Sequence, residues 1–339
     1  MEPGNKSCAI LMAALVACAA GCALPVGYER GGNGPLPPGD HVPEEDGAWD
    51  EADRVCRICF RLDGSLCFDP EGRRRSGPTA AVAGDFSRLL NGECRRRGAT
   101  LVVLIHGIDN TYPEARRSFE LARMRVEQLY PGRLFVFLEV YWDGLCGHPL
   151  AVWGEARPGS KWVGLGLRPL LAGIDHSLPV RILCHSRGAS VACAALWNVP
   201  FLEGPEFDRV YAERQRDIPA PAHPDVRLAM IAAAMGEEEF QSYGATPLDR
   251  VIVGINEDDP VLNKGFVGPG FAGSTRLGCR RAAFDEGVAP VLNRERRVAV
   301  AVDLCGSREH DFKDYLLRRA VKERLLPLLL EPAAASAAD

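Results

Sequence analysis

Ser186 sits at an abrupt change of pattern. Val180–Leu196 reads VRILCHSRGASVACAAL: an apolar run to Cys184, a break at His185-Ser186-Arg187-Gly188, then an Ala-rich stretch with helical spacing. That pattern predicts strand, sharp turn and helix, with the serine hydroxyl at the apex. Such a turn tolerates only small side chains two residues before and two after the serine, because helix and strand must pack closely. Gly188 meets that need, and Cys184 is small enough to do so. A serine hydroxyl is a weak nucleophile and needs a base to take its proton and an acid to orient that base. The chain has seven histidines for the first task, and the carboxylates Glu257, Asp258 and Asp259 stand in a row for the second. His106-Gly107-Ile108 is a further turn-like break after an apolar run.

Apolar runs at Thr100–Ile105, Leu134–Tyr141, Val180–Cys184, Val226–Ala234, Val251–Ile255 and Val298–Val302 read as strands buried on both faces. Helical spacing covers Ala80–Arg97, Pro113–Tyr130, Lys161–Ile174 and Asp311–Leu330. Val55–Phe68 reads as a β-hairpin turning at Asp63-Gly64, and Pro200–Pro224 as a loop. Alternation of strands and helices predicts an α/β fold with a mostly parallel central sheet covered by helices on both faces, in one domain over residues 53–330. The 339 residues are 47 % hydrophobic and 25 % charged, ample for such a core. A net charge of −5 makes no electrostatic case for a nucleic-acid partner. Nucleotide and metalloprotease motifs (G-x-x-x-x-G-K-[ST], H-E-x-x-H) are absent, so no cofactor is expected.

The N-terminus has another character. Lys6 precedes an apolar run from Cys8 to Ala20, the length of a signal h-region. The run ends in Leu15-Val16-Ala17-Cys18 and Ala19-Ala20-Gly21-Cys22. Both resemble the lipobox of bacterial lipoproteins, which implies a signal over residues 1–22 and lipidation of Cys18 or Cys22. The expectation is an exported protein held at a membrane of the cell envelope by a lipid anchor, with residues 23–52 as a flexible linker and 331–339 as a disordered tail. Among the twelve cysteines, Cys56, Cys59, Cys67 and Cys94 could ligate zinc, but structural cysteines, some of them paired, are the favoured reading.

The stretch Cys184-His185-Ser186-Arg187-Gly188 resembles the nucleophile elbow, G-x-S-x-G, of the α/β-hydrolase superfamily, with Cys184 in place of the usual glycine. The resemblance covers the chain from about Val55 onward and lies nearest to serine-esterase-like members. It implies the chain order serine, acid, histidine. Ser186 is then the nucleophile and His310, just past the last strand, the base. The acid falls past the strand Val251–Ile255; Asp259, which precedes Pro-Val-Leu, is the first choice and Asp258 the second. The oxyanion hole implied is the N–H of Arg187 with that of Ile108. Gly107, Asp109 and Trp142 are implied around the substrate, Trp142 as a pocket wall or as a buried packing group. The expected activity is cleavage of a carboxylic ester, small-molecule or lipid, through an acyl-enzyme, with esterase favoured over lipase or acyltransferase. The alternative is a catalytically silent hydrolase fold serving as a binding or scaffold protein of the envelope.

Overall fold

The computed structural model describes residues 49–67, 79–108, 110–143, 149–200, 204–241, 243, 248–263, 276–294, 298–306 and 308–331. The expected signal, Cys18 and Cys22 lie outside them, as do most of the linker and the tail. No helix among the described residues is long and apolar enough to cross a membrane.

Eight strands form one sheet: β1 (Trp49–Asp50), β2 (Val55–Phe60), β3 (Thr100–Ile105), β4 (Phe135–Trp142), β5 (Val180–His185), β6 (Val226–Ile231), β7 (Leu248–Ile255) and β8 (Val298–Asp303). Their spatial order is β1-β2-β4-β3-β5-β6-β7-β8. Only β1 runs antiparallel to its neighbour; all other pairings are parallel. Alternate residues feed two cores. Leu101, Val103 and Ile105 of β3 join one, with α1 (Thr79–Arg97), α3 (Pro149–Ala172) and α4 (Gly188–Leu196). Val102 and Leu104 join the other, with α2 (Tyr112–Leu129) and the C-terminal helices. This is the mostly parallel, doubly covered α/β sheet expected from the alternation of runs.

Four local expectations change. Val55–Phe60 pairs chiefly in parallel with β4, and the Asp63-Gly64 turn closes only a single antiparallel bridge, Phe60 to Leu66. Trp49 and Asp50, expected in the linker, pair with Cys56 and Val55 as β1. The stretch expected to be a loop from Pro200 contains α5 (Pro205–Asp217), whose Tyr211 and Gln215 are buried one helical turn apart. The closing helix is not continuous: past the short α6 (Pro260–Asn263) and α7 (Ala289–Arg294), α8 (Phe312–Leu316) stops, and the chain resumes through a wide turn, Val321–Leu325, into α9 (Leu326–Leu330).

Strand alternation also bears on the zinc reading of the cysteines. Residues three apart on a strand face opposite sides. Cys56 accordingly lies in the core with Cys94, and Cys59 in the other core with Cys67. Cys56 and Cys59 therefore do not converge on one metal.

Candidate active site

The C-terminal ends of β3, β5, β7 and β8 carry His106, Ser186, Asp259 and His310 into one place, at the edge where parallel α/β sheets present their loops. Ser186 follows β5 with φ 52°, in the left-handed region that a side chain seldom occupies. The surroundings hold it there. Its N–H donates to the Ile231 carbonyl at 3.0 Å, and its own carbonyl accepts from Ala234 N–H at 3.1 Å. Both partners sit where β6 ends, at another left-handed residue, Ala232 (φ 48°). Strain of this kind persists only where neighbours over-determine it.

The small-residue requirement is visible on both sides of the serine. A Cβ on Gly188 would collide with the carbonyl oxygens of His106 and Ile105. Cys184 points into the core on the α4 side, fully buried, its thiol 3.5 Å from the Ala229 carbonyl. The helix behind the serine is buried at every residue. α3 crosses it closely at Gly164, where a Cβ would stand 2.6 Å from that of Ala194. From α3, buried Arg168 donates to the Ala194 carbonyl at 2.7 Å and to the Trp197 carbonyl. A guanidinium at this end satisfies the last carbonyls and complements the helix dipole.

The three expected groups meet. His310 Nδ1 lies 2.7 Å from Asp259 Oδ2, and His310 Nε2 lies 2.9 Å from Ser186 Oγ. An ionised carboxylate only accepts, so Nδ1 carries the proton and Nε2 is left to accept from the serine hydroxyl. Asp259 is fully buried, and its carboxylate only accepts. Val261 and Leu262 N–H groups reach Oδ1 at 2.9 and 3.0 Å, and Tyr315 O–H reaches Oδ2 at 2.8 Å. Burial pushes its carboxyl up, but the bonds and charge of His310, with those of Leu262 and Tyr315, outweigh burial and hold it below the usual carboxylate range. The neighbouring acids do other work. Asp258 Oδ2 accepts from Gly306 N–H at 2.7 Å, steadying the loop after β8, and Glu257 is exposed. Of the carboxylates left open by the sequence, the histidine bonds to Asp259.

The residues expected to supply oxyanion-hole N–H groups, Ile108 and Arg187, stand on the turns that follow β3 and β5. Arg187 is the residue that opens the elbow helix (φ −67°, ψ −18°). Gly107 backs directly onto Ser186, where a Cβ would stand 2.6 Å from the serine's own. Ile108 follows, half-buried, its carbonyl accepting from Asn110 Nδ2 at 2.8 Å. His106 is a brace: Nδ1 donates to the Gly107 carbonyl at 2.7 Å and Nε2 accepts from Trp142 N–H at 3.2 Å.

Trp142 takes the packing role rather than the wall. It is 1 % exposed, stacks on His106, and donates its indole N–H to the His106 carbonyl at 3.0 Å. Its large ring and single donor hold the His106 turn, so the expected pocket wall is a buried packing group instead. Asp109 lies outside the described residues. Sequence reasoning missed Tyr315, which accepts from Asn256 Nδ2 at 2.8 Å while donating to Asp259. Its place five residues after His310, one helical turn into α8, is the only signal that could have found it.

No family profile and no curated protein matches the sequence. Among solved structures the chain is similar to an uncharacterised protein from Bacillus cereus, with a TM-score of 0.35 and 13 % identity over 69 % of this chain and 60 % of that one. It is also similar to an iodinated complex of an acetyl xylan esterase, with a TM-score of 0.35 and 11 % identity over 67 % of this chain and 96 % of that one. The chain thus spans less than two thirds of the first of these proteins.

Proposed function

We propose that the chain is a serine hydrolase cleaving a carboxylic ester through an acyl-enzyme intermediate. The observation that carries this reading is the row Asp259–His310–Ser186, bonded at 2.7 and 2.9 Å, with the serine on a left-handed turn (φ 52°) at the head of a buried helix. In the reaction Ser186 Oγ attacks the acyl carbonyl while its proton passes to His310 Nε2. Asp259 stabilises the resulting imidazolium and keeps its orientation. The N–H groups of Arg187 and Ile108 receive the oxyanion. As the tetrahedral intermediate collapses, the ester C–O bond breaks and the alcohol oxygen takes the proton from His310. Water, deprotonated by the same imidazole, then frees the acid and restores Ser186.

The substrate belongs to the small-molecule or lipid esters. With a lipobox-like signal at Cys18 or Cys22, the enzyme would work at a membrane of the cell envelope. The test is labelling of purified protein with a fluorophosphonate, which bonds only to an activated serine. Wild type should label, Ser186→Ala should not, and His310→Ala should label slower by about three orders of magnitude or more. A folded wild type that does not label overturns the reading. Hydrolysis of a graded series of p-nitrophenyl esters then sets the acyl length.

A further inference from the structure

One titratable side chain at the row of strand ends has no part in the scheme above. His185 is the last residue of β5, directly before Ser186, and it is 2 % exposed. Its ring lies flat against Phe312, with centroids 5.1 Å apart and 7° between planes. The rings of His310 and Tyr315 lie at 5.0 and 6.1 Å. Its Nε2 stands 2.7 Å from the main-chain carbonyl oxygen of His310. A carbonyl only accepts, so Nε2 bears the proton and Nδ1 is a bare lone pair. That Nδ1 is buried and has no hydrogen-bond partner. It faces Gly107, 3.2 Å from where a Cβ would sit.

An orphaned buried nitrogen is uncommon and asks for a reason. A phenyl ring would stack on Phe312 equally well and would bury no bare nitrogen. What imidazole adds in this slot is the one bond to the His310 main chain. That bond joins the strand bearing the nucleophile to the loop bearing the base. Ties such as Gly306 N–H to Asp258, Glu257 N–H to the Cys305 thiol and Arg318 to the Leu304 carbonyl lie four or more residues before His310.

We propose that His185 is a positioning residue: as the neutral Nε2–H tautomer it holds the His310 main chain so that the His310 ring stays in line between Asp259 and Ser186. The proposal rests on the hydrolase reading for its consequence and on the hydrogen bond alone for its premise. The groups facing His185 are His310, Asp259 and His106, with Tyr315 from α8. Burial first, then the adjacent His310, pushes its pKa well below that of an ordinary histidine, so the neutral form persists through the working range of the site.

The experiment uses the full chain in four forms: wild type, Ser186→Ala, His185→Phe and His185→Gln. Fluorophosphonate labelling rates are taken across pH, melting is followed for each form, and histidine nitrogens are observed by NMR. Expected is a wild-type spectrum in which His185 carries its proton on Nε2 and does not titrate near neutrality, together with a downfield His310 Nδ1 proton. His185→Phe should melt close to wild type, label about 10- to 100-fold slower at every pH, and lose the sharp downfield signal. His185→Gln, whose amide can donate to the same carbonyl, should regain most of the rate. The proposal falls if His185→Phe labels as fast as wild type, if the glutamine variant is no better than the phenylalanine one, or if wild-type His185 is protonated on Nδ1. Should the phenylalanine variant not fold, the tautomer and the glutamine rate still decide. A wild type that never labels sinks the hydrolase reading instead; then an unshifted His310 signal in His185→Phe sinks this proposal separately.

Discussion

Asp259 accepts from a histidine, a phenol and two backbone amides, and these donors can be removed singly. Tyr315→Phe takes away one donor to a buried carboxylate and the phenol oxygen that accepts from Asn256 Nδ2. A bond to a charged group is worth about 1.5–3 kcal/mol. The sign follows from linkage. A carboxyl held low in the folded state contributes stability that is fully present above its unfolded pKa and is lost as pH falls through the folded one. Losing the phenol raises the folded value, so Tyr315→Phe should be less stable at pH 7, and the gap should shrink below about pH 4. Urea midpoints at the two pH values measure this, and a gap that widens in acid would contradict it. Gly107→Ala makes a second residue-scale prediction, because its Cβ would press on that of Ser186 at 2.6 Å. Labelling should slow by about 100-fold or more, with the fold retained by circular dichroism; a wild-type rate would mean that Gly107 does not border the nucleophile. That Ser186 and His310 meet, and that Gly188 must lack a side chain, was legible because each follows from a local pattern or from order along the chain. Tyr315 and His185 were not, since their partners are 56 and 125 residues away and no spacing rule links them.

At the scale of elements, the edge of the sheet depends on a buried charge. Glu139 of β4 is fully buried and stands beside Arg57 of β2 in register. It accepts from Arg57 at 3.3 Å, from Tyr141 at 2.7 Å, and from Arg123 of α2. Two guanidinium groups thus converge on one carboxylate under α2. Glu139→Ala would leave both without their shared partner, a change that costs about 3–5 kcal/mol for a broken buried pair. A drop of that size in denaturation free energy is expected, while Glu139→Gln, which still bonds one arginine, should lose less. Equal stability of Glu139→Ala and wild type would show that water replaces the carboxylate. Elements were legible where apolar runs were continuous, as in Thr100–Ile105 and Val180–Cys184. They were misread where a helix hides in polar residues. Pro205–Asp217 buries Tyr211 against Trp162 and Gln215 against the Val199 carbonyl, and two inward residues leave almost no apolar periodicity to detect. The partner of Val55–Phe60 was misassigned for a related reason: a nearby turn signal competes with a partner strand some eighty residues away, and the turn says nothing of which strand wins.

Taken whole, the molecule places its chemistry at one end of the sheet and its closure at the other. The strand ends at Ile105, His185, Ile255 and Asp303 deliver the site. At the opposite ends, Arg133, Arg227 and Arg250 donate to the last carbonyls of α9: Arg133 to Leu330, Arg227 to Leu328 at 3.2 Å and Glu331 at 2.5 Å, and Arg250 to Leu328 at 3.1 Å. These cations cap the C-terminal, electronegative end of the helix, and α9 in turn seals one of the two cores with Leu326, Leu329 and Leu330, all fully buried. Truncation after Leu325 would remove three buried leucines at about 1.5–3 kcal/mol each and leave three arginines without those acceptors. The sum rivals the whole stability of an ordinary domain, about 5–15 kcal/mol. The truncated chain should therefore show no cooperative melt and should not label with a fluorophosphonate, although every residue of the site is still present. The single change Arg250→Ala, which removes one capping bond, should lower the melting point by a few degrees and leave labelling intact. If instead the truncated chain melts cooperatively and labels, α9 is an appendage, and the site depends only on the loops at its own end of the sheet.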